Sequence, residues 1–335
     1  MKQLIRTMAA VCLTILLLAA AVGAPQAQEN KNTRVDLEKT AALYQQWSTR
    51  PSFPESTPFA YYTVYGMRAL GKEMPKETRG KILNFLKSCQ KPDGGFANEP
   101  KFAPASNIIF TYYALQTLDL LGEFGVIDQN KVIAYLLALQ QPAGGFKASA
   151  GEKEKPSLAA TFYGVSSLAL LKKLDAVNKE KTAAFVATFK EQDKGFGFVP
   201  GKLSAPSSTF MAVRTLKILG MLTDEVTSGV SAYLSDTRYA GHVTDRKYYS
   251  PPTLQDLADV LKTLHDLSAL EVADLAKVNS FIESLYVAEN SGFGPQPGYG
   301  TTPPSTFYGI VCLVQLGKLP DPHALTGNPA APHGL

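Results

Sequence analysis

The chain is poor in the residues that most often betray chemistry. Its 335 residues include only four histidines, three cysteines and one tryptophan. No two aspartates are adjacent, and no His-Glu-x-x-His zinc motif occurs. Gly164-Val165-Ser166-Ser167-Leu168 lacks the second glycine of a nucleophile elbow and follows no strand pattern. There is no run of basic residues and the formal net charge is only +4, which argues against a nucleic-acid partner. Cysteine is too scarce for a disulfide framework. Cys12 lies in an apolar leader, and Cys89 and Cys312 fall in separate helical patterns, so two unpaired thiols are expected.

Lys2 and Arg6 precede an apolar run from Met8 to about Ala24, followed by Pro25-Gln26-Ala27-Gln28. This reads as a secretory leader cut after Ala24 or Ala27, with an uncleaved anchor as the alternative. Cleavage leaves 31 basic against 29 acidic residues, a nearly neutral exported chain with no membrane span of its own.

What is abundant is a glycine–aromatic turn. It recurs as Gly94-Gly95-Phe96, Gly144-Gly145-Phe146, Gly195-Phe196 and Gly292-Phe293, with a worn copy at Gly241-His242. The steps between second glycines are 50, 50, 46 and 51 residues. Such a period marks one supersecondary unit copied around an array. Each unit carries two helical patterns. One is apolar on a single face, over about 34–47, 76–90, 128–141, 178–192, 224–235 and 272–288. The other is apolar on most sides and begins near Thr57, Ser106, Ser157, Ser207, Thr253 and Ser305. Gly71, Gly122, Gly220 and Gly317 close four of these. A helix apolar all round seeks burial, and a one-faced helix seeks one wet side. Six inner helices inside six outer ones satisfy both, an all-α (α/α)6 toroid. An open superhelix is the alternative, but the end repeats lack polar caps. The expected organisation is leader 1–27, toroid 28–319 and a Pro/Gly-rich tail 320–335.

The Leu86-Lys87-Ser88-Cys89-Gln90 run leading to Gly94-Gly95-Phe96, and its copies before Gly144 and Gly195, resemble the repeat of prenyltransferase β subunits and squalene cyclases. Phe110-Thr111-Tyr112-Tyr113 and Thr161-Phe162-Tyr163-Gly164 fit that resemblance, which spans about residues 35–318. It implies a toroid with an aromatic central cavity that often accepts isoprenoids. It also implies zinc ligands in the prenyltransferases, but Thr253, Gln255 and Tyr308 or Gly309 stand where these belong. The family's diphosphate-binding His position falls near Ala205 or Pro206, and its Arg and Lys are only echoed by Arg246 and Lys247. The cyclases' Asp-x-Asp-Asp acid and the thioester domains' Cys-Gly-Glu-Gln are missing. No metal or cofactor is therefore assigned.

The candidate ligand wall is the set of aromatics in the first turns of the inner helices: Tyr61, Tyr62, Tyr65, Tyr112, Tyr113, Tyr163, Phe210 and Tyr308, with Phe59, Phe110, Phe162 and Phe307 beside them. For each one alone, core packing is the plainer reading. A second candidate is the polar stretch 236–250, where Arg246 and Lys247 would meet an anion and Tyr248 or Tyr249 would line the mouth. Asp256, Asp259, Tyr248 and His242 are the weak catalytic candidates. Asp256 and Asp259 share a helix face, although a first-turn Asp also simply complements the helix dipole. His265 and Asp266 are expected at the surface, and His323 and His333 in the tail carry no assigned role. Three functions follow: an apolar, isoprenoid-like ligand in the cavity; a scaffold binding a protein or glycan; or a secreted polysaccharide-cleaving enzyme.

Overall fold

The protein is described here by a computed structural model covering residues 35–101, 105–151, 153–235 and 253–326. The leader, the 236–250 stretch with His242, Arg246, Lys247 and Tyr248, and His333 lie outside the described residues. Twelve α-helices alternate between two rings among the described residues. The outer helices are α1 (Leu37–Ser48), α3 (Lys76–Cys89), α5 (Gln129–Leu139), α7 (Lys179–Ala187), α9 (Asp224–Ser235) and α11 (Leu275–Ser284). The inner helices are α2 (Thr57–Ala69), α4 (Ile108–Leu121), α6 (Leu158–Leu170), α8 (Pro206–Leu219), α10 (Leu254–Asp266) and α12 (Pro303–Gln315).

Burial follows the sequence patterns. In α4, 11 of its 14 residues are buried; in α3, only Thr78, Ile82, Leu86 and Cys89 are, one stripe at helical spacing. Each inner helix packs on the next, and α12 packs back on α2, so the ring is closed rather than open. Tyr286 seals the outside of the seam, donating from its hydroxyl to the Asp36 carbonyl at 3.1 Å. The two thiols are unpaired and buried, and burial pushes Cys89 up to about 12.

The glycine–aromatic turn is explained by a lock to the inner ring. The backbone N–H groups of Phe96, Phe146, Phe196 and Phe293 each donate, at 3.0 Å, to the hydroxyl of Thr111, Thr161, Thr209 or Thr306. Each threonine sits four residues past the N-cap of its inner helix. The bond therefore fixes each helix at one height against its own turn. Gly144-Gly145 shows why small residues are needed. Gly144 has φ of +101° and would place a Cβ 2.3 Å from the Lys181 backbone; a Cβ on Gly145 would lie 2.6 Å from the Phe185 ring.

All six inner helices are followed by a left-handed residue: Gly71, Gly122, Lys172, Gly220, Ser268 and Gly317. Lys172 and Ser268 do this without glycine. Short 3₁₀ turns at Phe124–Val126, Leu174–Ala176 and Leu270–Val272 then lead to the next outer helix, and the last turn pairs two short strands, Tyr286–Val287 and Gly292–Phe293.

Replacing Thr161 by Val removes the lock's acceptor and leaves the Phe146 N–H buried without it. Denaturant unfolding of Thr161→Val should show a loss of about 1–3 kcal/mol. Thr188→Val, which deletes a hydroxyl bonded at the exposed surface, should stay within about 0.5 kcal/mol of the parent.

Candidate ligand-binding site

Because the turns hold the inner helices at matched heights, equivalent positions form layers across the ring. Counting from each N-cap, the fifth position holds Tyr61, Tyr112, Phe162, Phe210, Ala258 and Phe307. The sixth holds Tyr62, Tyr113, Tyr163, Met211, Asp259 and Tyr308. The ninth holds Tyr65, Gln116, Ser166, Arg214, Lys262 and Val311. Apart from Tyr62 and Ala258, the residues of the first two layers line a funnel at the end of the ring where the inner helices begin, together with Gln255 and Lys262. The fifth-position rings are buried, while Tyr62, Tyr113, Tyr163, Met211 and Tyr308 are half-buried around the opening.

The rings touch one another. Tyr62 stacks on Phe307 at 4.3 Å between centroids and meets Tyr113 edge-on at 5.9 Å. Tyr112 and Tyr163 are 5.0 Å apart, and Phe162 and Phe210 are 5.5 Å apart. The space left inside is about 50 Å³. Wells that hold drug-sized ligands run to roughly 300–1,000 Å³. The expected open cavity is thus, in this conformation, a ring of aromatics in mutual contact. Larger hollows of about 550 and 440 Å³ lie elsewhere, one between α1 and the last turn, the other by the ends of α2 and α4.

Of the sequence candidates, Tyr61, Tyr62, Tyr112, Tyr113, Tyr163, Phe210 and Tyr308 meet in this cluster. Tyr65 lies one turn deeper, against Tyr61 and Phe307. Phe59 does not belong to it: it packs outward on Trp47 and Phe53. Phe110 does not line the funnel either.

The carboxylates divide. Asp256 completes a capping box, accepting from the Thr253 N–H at 3.1 Å and its hydroxyl at 2.9 Å. Asp259, the only acid in the sixth layer, is buried. It accepts from Ser207 Oγ at 2.6 Å and pairs with Lys262 Nζ at 2.8 Å. Lys262, unnoticed in the sequence although three residues on, also lies 4.0 Å over the Phe210 ring. Arg214 stands 5.5 Å from the same ring and pairs with Asp266 at 2.5 Å, as does Lys217 at 3.0 Å. Asp266 is therefore buried, not at the surface as expected; its neighbour His265 is exposed. Gln116 and Ser166 in the same layer as Lys262 have buried side-chain atoms with no protein partner. Buried polar groups are ordinarily satisfied, so this layer suits water or a ligand's polar group.

His323 is the largest correction. It reaches from beyond α12 into the ring, where Nε2 lies 3.2 Å from the Tyr61 hydroxyl and Nδ1 3.3 Å from Asp119 Oδ2. All three side chains are buried. No sequence signal marks His323, because the hole it fills exists only once the ring has closed.

The sequence profile of the prenyltransferase alpha-alpha toroid domain matches residues 41–244 and 257–327. The chain belongs to the prenyltransferase α/α-toroid family. Comparison with curated proteins gives no match. Among solved structures, the toroid is similar to protein geranylgeranyltransferase-I of Candida albicans complexed with GGPP. That match has 15% identity and a TM-score of 0.71, covering 84% of this chain and 93% of the other. It is also similar to a variant of the type II terpene cyclase MstE from Scytonema, solved with geranylgeranyl dihydroxybenzoate. Here identity is 12% and the TM-score 0.57, over 84% of this chain and 97% of that one. At these identities the likeness speaks for the fold.

Two outcomes follow. Lys262→Met strands the Asp259 carboxylate in the interior and should cost about 3–5 kcal/mol in denaturant unfolding, whereas Lys262→Met with Asp259→Leu should cost clearly less. Burial raises the phenols of Tyr61, Tyr65, Tyr112, Tyr113 and Tyr308 well above their ordinary value, and those of Tyr62 and Tyr163 also rise. Folding holds these protons more tightly than the unfolded chain does. The stability they bring is full below about pH 10 and is lost as pH rises beyond it. In an alkaline titration, the phenolate absorbance of these seven tyrosines should appear together with the loss of helical circular dichroism.

Proposed function

We propose that this is an exported toroid that binds an apolar, isoprenoid-like chain among the funnel tyrosines. The observation that carries the reading is the sixth-position layer: four half-buried tyrosines and a methionine around one opening. A phenol offers a flat apolar face and a polar tip, and Met adapts to irregular shapes. Relatives of the fold solved with GGPP and with geranylgeranyl dihydroxybenzoate support the ligand class. With about 50 Å³ inside, the ligand is admitted by outward rotation of Tyr62, Tyr113, Tyr163 and Tyr308. Giving up each aromatic contact costs about 0.5–1.5 kcal/mol, so affinity is modest. Lys262 and Asp259 mark the depth at which apolar contact ends.

The reading involves no zinc. At the positions where the family resemblance implies metal ligands, the Thr253 hydroxyl is engaged in a helix cap, Gln255 is an exposed amide and Tyr308 is a half-buried phenol. None is the thiolate, imidazole or carboxylate that zinc selects, so these residues do not fit the ion. Asp256, the acid that a polysaccharide-cleaving reading would use, is occupied by the same cap.

A second reading has one observation in its favour. The rings that fill the centre also serve a scaffold that needs no internal ligand. Titration with farnesol and geranylgeraniol separates the two. Binding in the funnel predicts saturable protection against heat, and tighter binding of the longer alcohol to Tyr308→Ala, which vacates a phenol's volume. If neither alcohol binds the parent or Tyr308→Ala, and the variant only loses stability, the scaffold stands and the ligand reading falls.

A further inference from the structure

The wall of the funnel is apolar or phenolic on five of the six inner helices. The exception is α10, which contributes Gln255, Asp259 and Lys262. Lys262 is 5% exposed and is the only buried lysine among the described residues. Its ammonium lies 2.8 Å from Asp259 Oδ1 and 4.0 Å over the Phe210 ring, while Ser207 Oγ holds Asp259 Oδ2 at 2.6 Å.

Stability does not account for this pair. Replacing a buried ion pair by apolar side chains is often neutral or stabilising. The other five inner helices fill the sixth position with tyrosine or methionine, and the ring packs there without a charge. The neighbouring cations are placed differently: Arg214 and Lys217 are both tied to Asp266, and neither lines the funnel. A guanidinium is no nucleophile, whereas an amine becomes one when a neighbouring group takes its proton.

Amine, proton acceptor and apolar wall together suit one ligand group, an aldehyde. We propose that Lys262 joins an isoprenoid-like aldehyde as a protonated imine, with Asp259 as its counter-ion. This deepens the funnel reading, on which it rests, by naming the head of the ligand. Asp259 takes a proton from the ammonium, and the freed amine attacks the carbonyl carbon. One amine hydrogen moves to the carbonyl oxygen, Asp259 returns its proton there, and water leaves as the C=N bond forms. The three hydrogens of the ammonium end as one on the imine nitrogen and two on the water. The positive charge stays between Asp259 and the Phe210 ring, and no oxidant or reductant is consumed. An aldehyde fits better than a ketone, because about 50 Å³ leaves little room for a second substituent at the carbonyl. Lys262 is rooted about one turn below the sixth layer, so the chain behind the imine carbon runs back past Tyr163, Met211 and Tyr308. Gln116 and Ser166 share the layer of Lys262 and have buried atoms without a protein partner, which suits them to hold the departing water.

Farnesal with sodium cyanoborohydride tests this, since hydride converts an imine to a stable secondary amine. The parent protein would be trapped, digested and mapped by mass spectrometry, with the exposed lysines as internal reference. Holding amine and carbonyl together speeds their reaction, so Lys262 should gain a farnesyl group at least about a hundred times faster than any exposed lysine. Excess farnesol should slow that labelling. Lys262→Arg keeps a charge beside Asp259 but forms no imine, so a variant with the parent's circular dichroism should have no fast-labelling site. The proposal is overturned if Lys262 stays unmodified or is trapped no faster than the exposed lysines, and the map of the parent decides this even if Lys262→Arg fails to fold. Protection by farnesol without modification of Lys262 would defeat the imine and leave the funnel ligand standing. Fast labelling of Lys262 that farnesol does not slow would keep the imine and defeat the prenyl-alcohol reading.

Discussion

Everything at the centre of this toroid depends on one repeated hydrogen bond, from a turn phenylalanine N–H to a threonine hydroxyl on the inner helix. A helix packed only by apolar contacts has some freedom to slide along its neighbour. The bond removes that freedom at four of the six repeats, because sliding would leave a buried N–H unsatisfied. With heights fixed, residues at the same distance from their N-caps become neighbours across the ring. The aromatic layers, and the polar layer beneath them, are consequences of that alignment. So is the Asp259–Lys262 pair, which lies where one repeat departs from the aromatic rule.

The fold was largely legible in the sequence because its cause is periodic. Glycine turns, capping residues and the contrast between one-faced and all-round apolar helices placed the starts of all twelve helices to within three residues, while some outer helices end earlier than expected, as at Ala187 and Ser284. The aromatic cluster was legible for the same reason, since Tyr62, Tyr113, Tyr163 and Tyr308 recur at equivalent places. The lock was present in the sequence too: a threonine stands 15 or 13 residues after each turn phenylalanine. It passes unnoticed because threonine in a helix usually signals nothing.

What was not legible lies where distant repeats meet. Arg214 and Asp266 are 52 residues apart and look like surface charges on separate helices; adjacency in the ring buries both. His323 sits in a Pro/Gly-rich tail, whose composition suggests no packed role. The volume inside the funnel was equally beyond reach. Sequence marked most of the rings that meet at the centre, though not that Phe59 and Phe110 turn away from it, and it did not tell whether six helices approach closely enough for those rings to touch.

The closure of α12 on α2 has a consequence for the order of assembly. An open solenoid adds each repeat to the one before, and a truncated one still covers most of its faces. Here the Tyr61 hydroxyl meets His323 across 262 residues of chain, and Tyr286 meets Asp36 across 250. Until the last repeat has been synthesised, α2 presents an uncovered apolar flank, and the far end of the ring has no stopper. Such long-range contacts slow folding and leave incomplete chains prone to association. The same seam that closes the aromatic ring thus obliges the chain to wait for its last repeat.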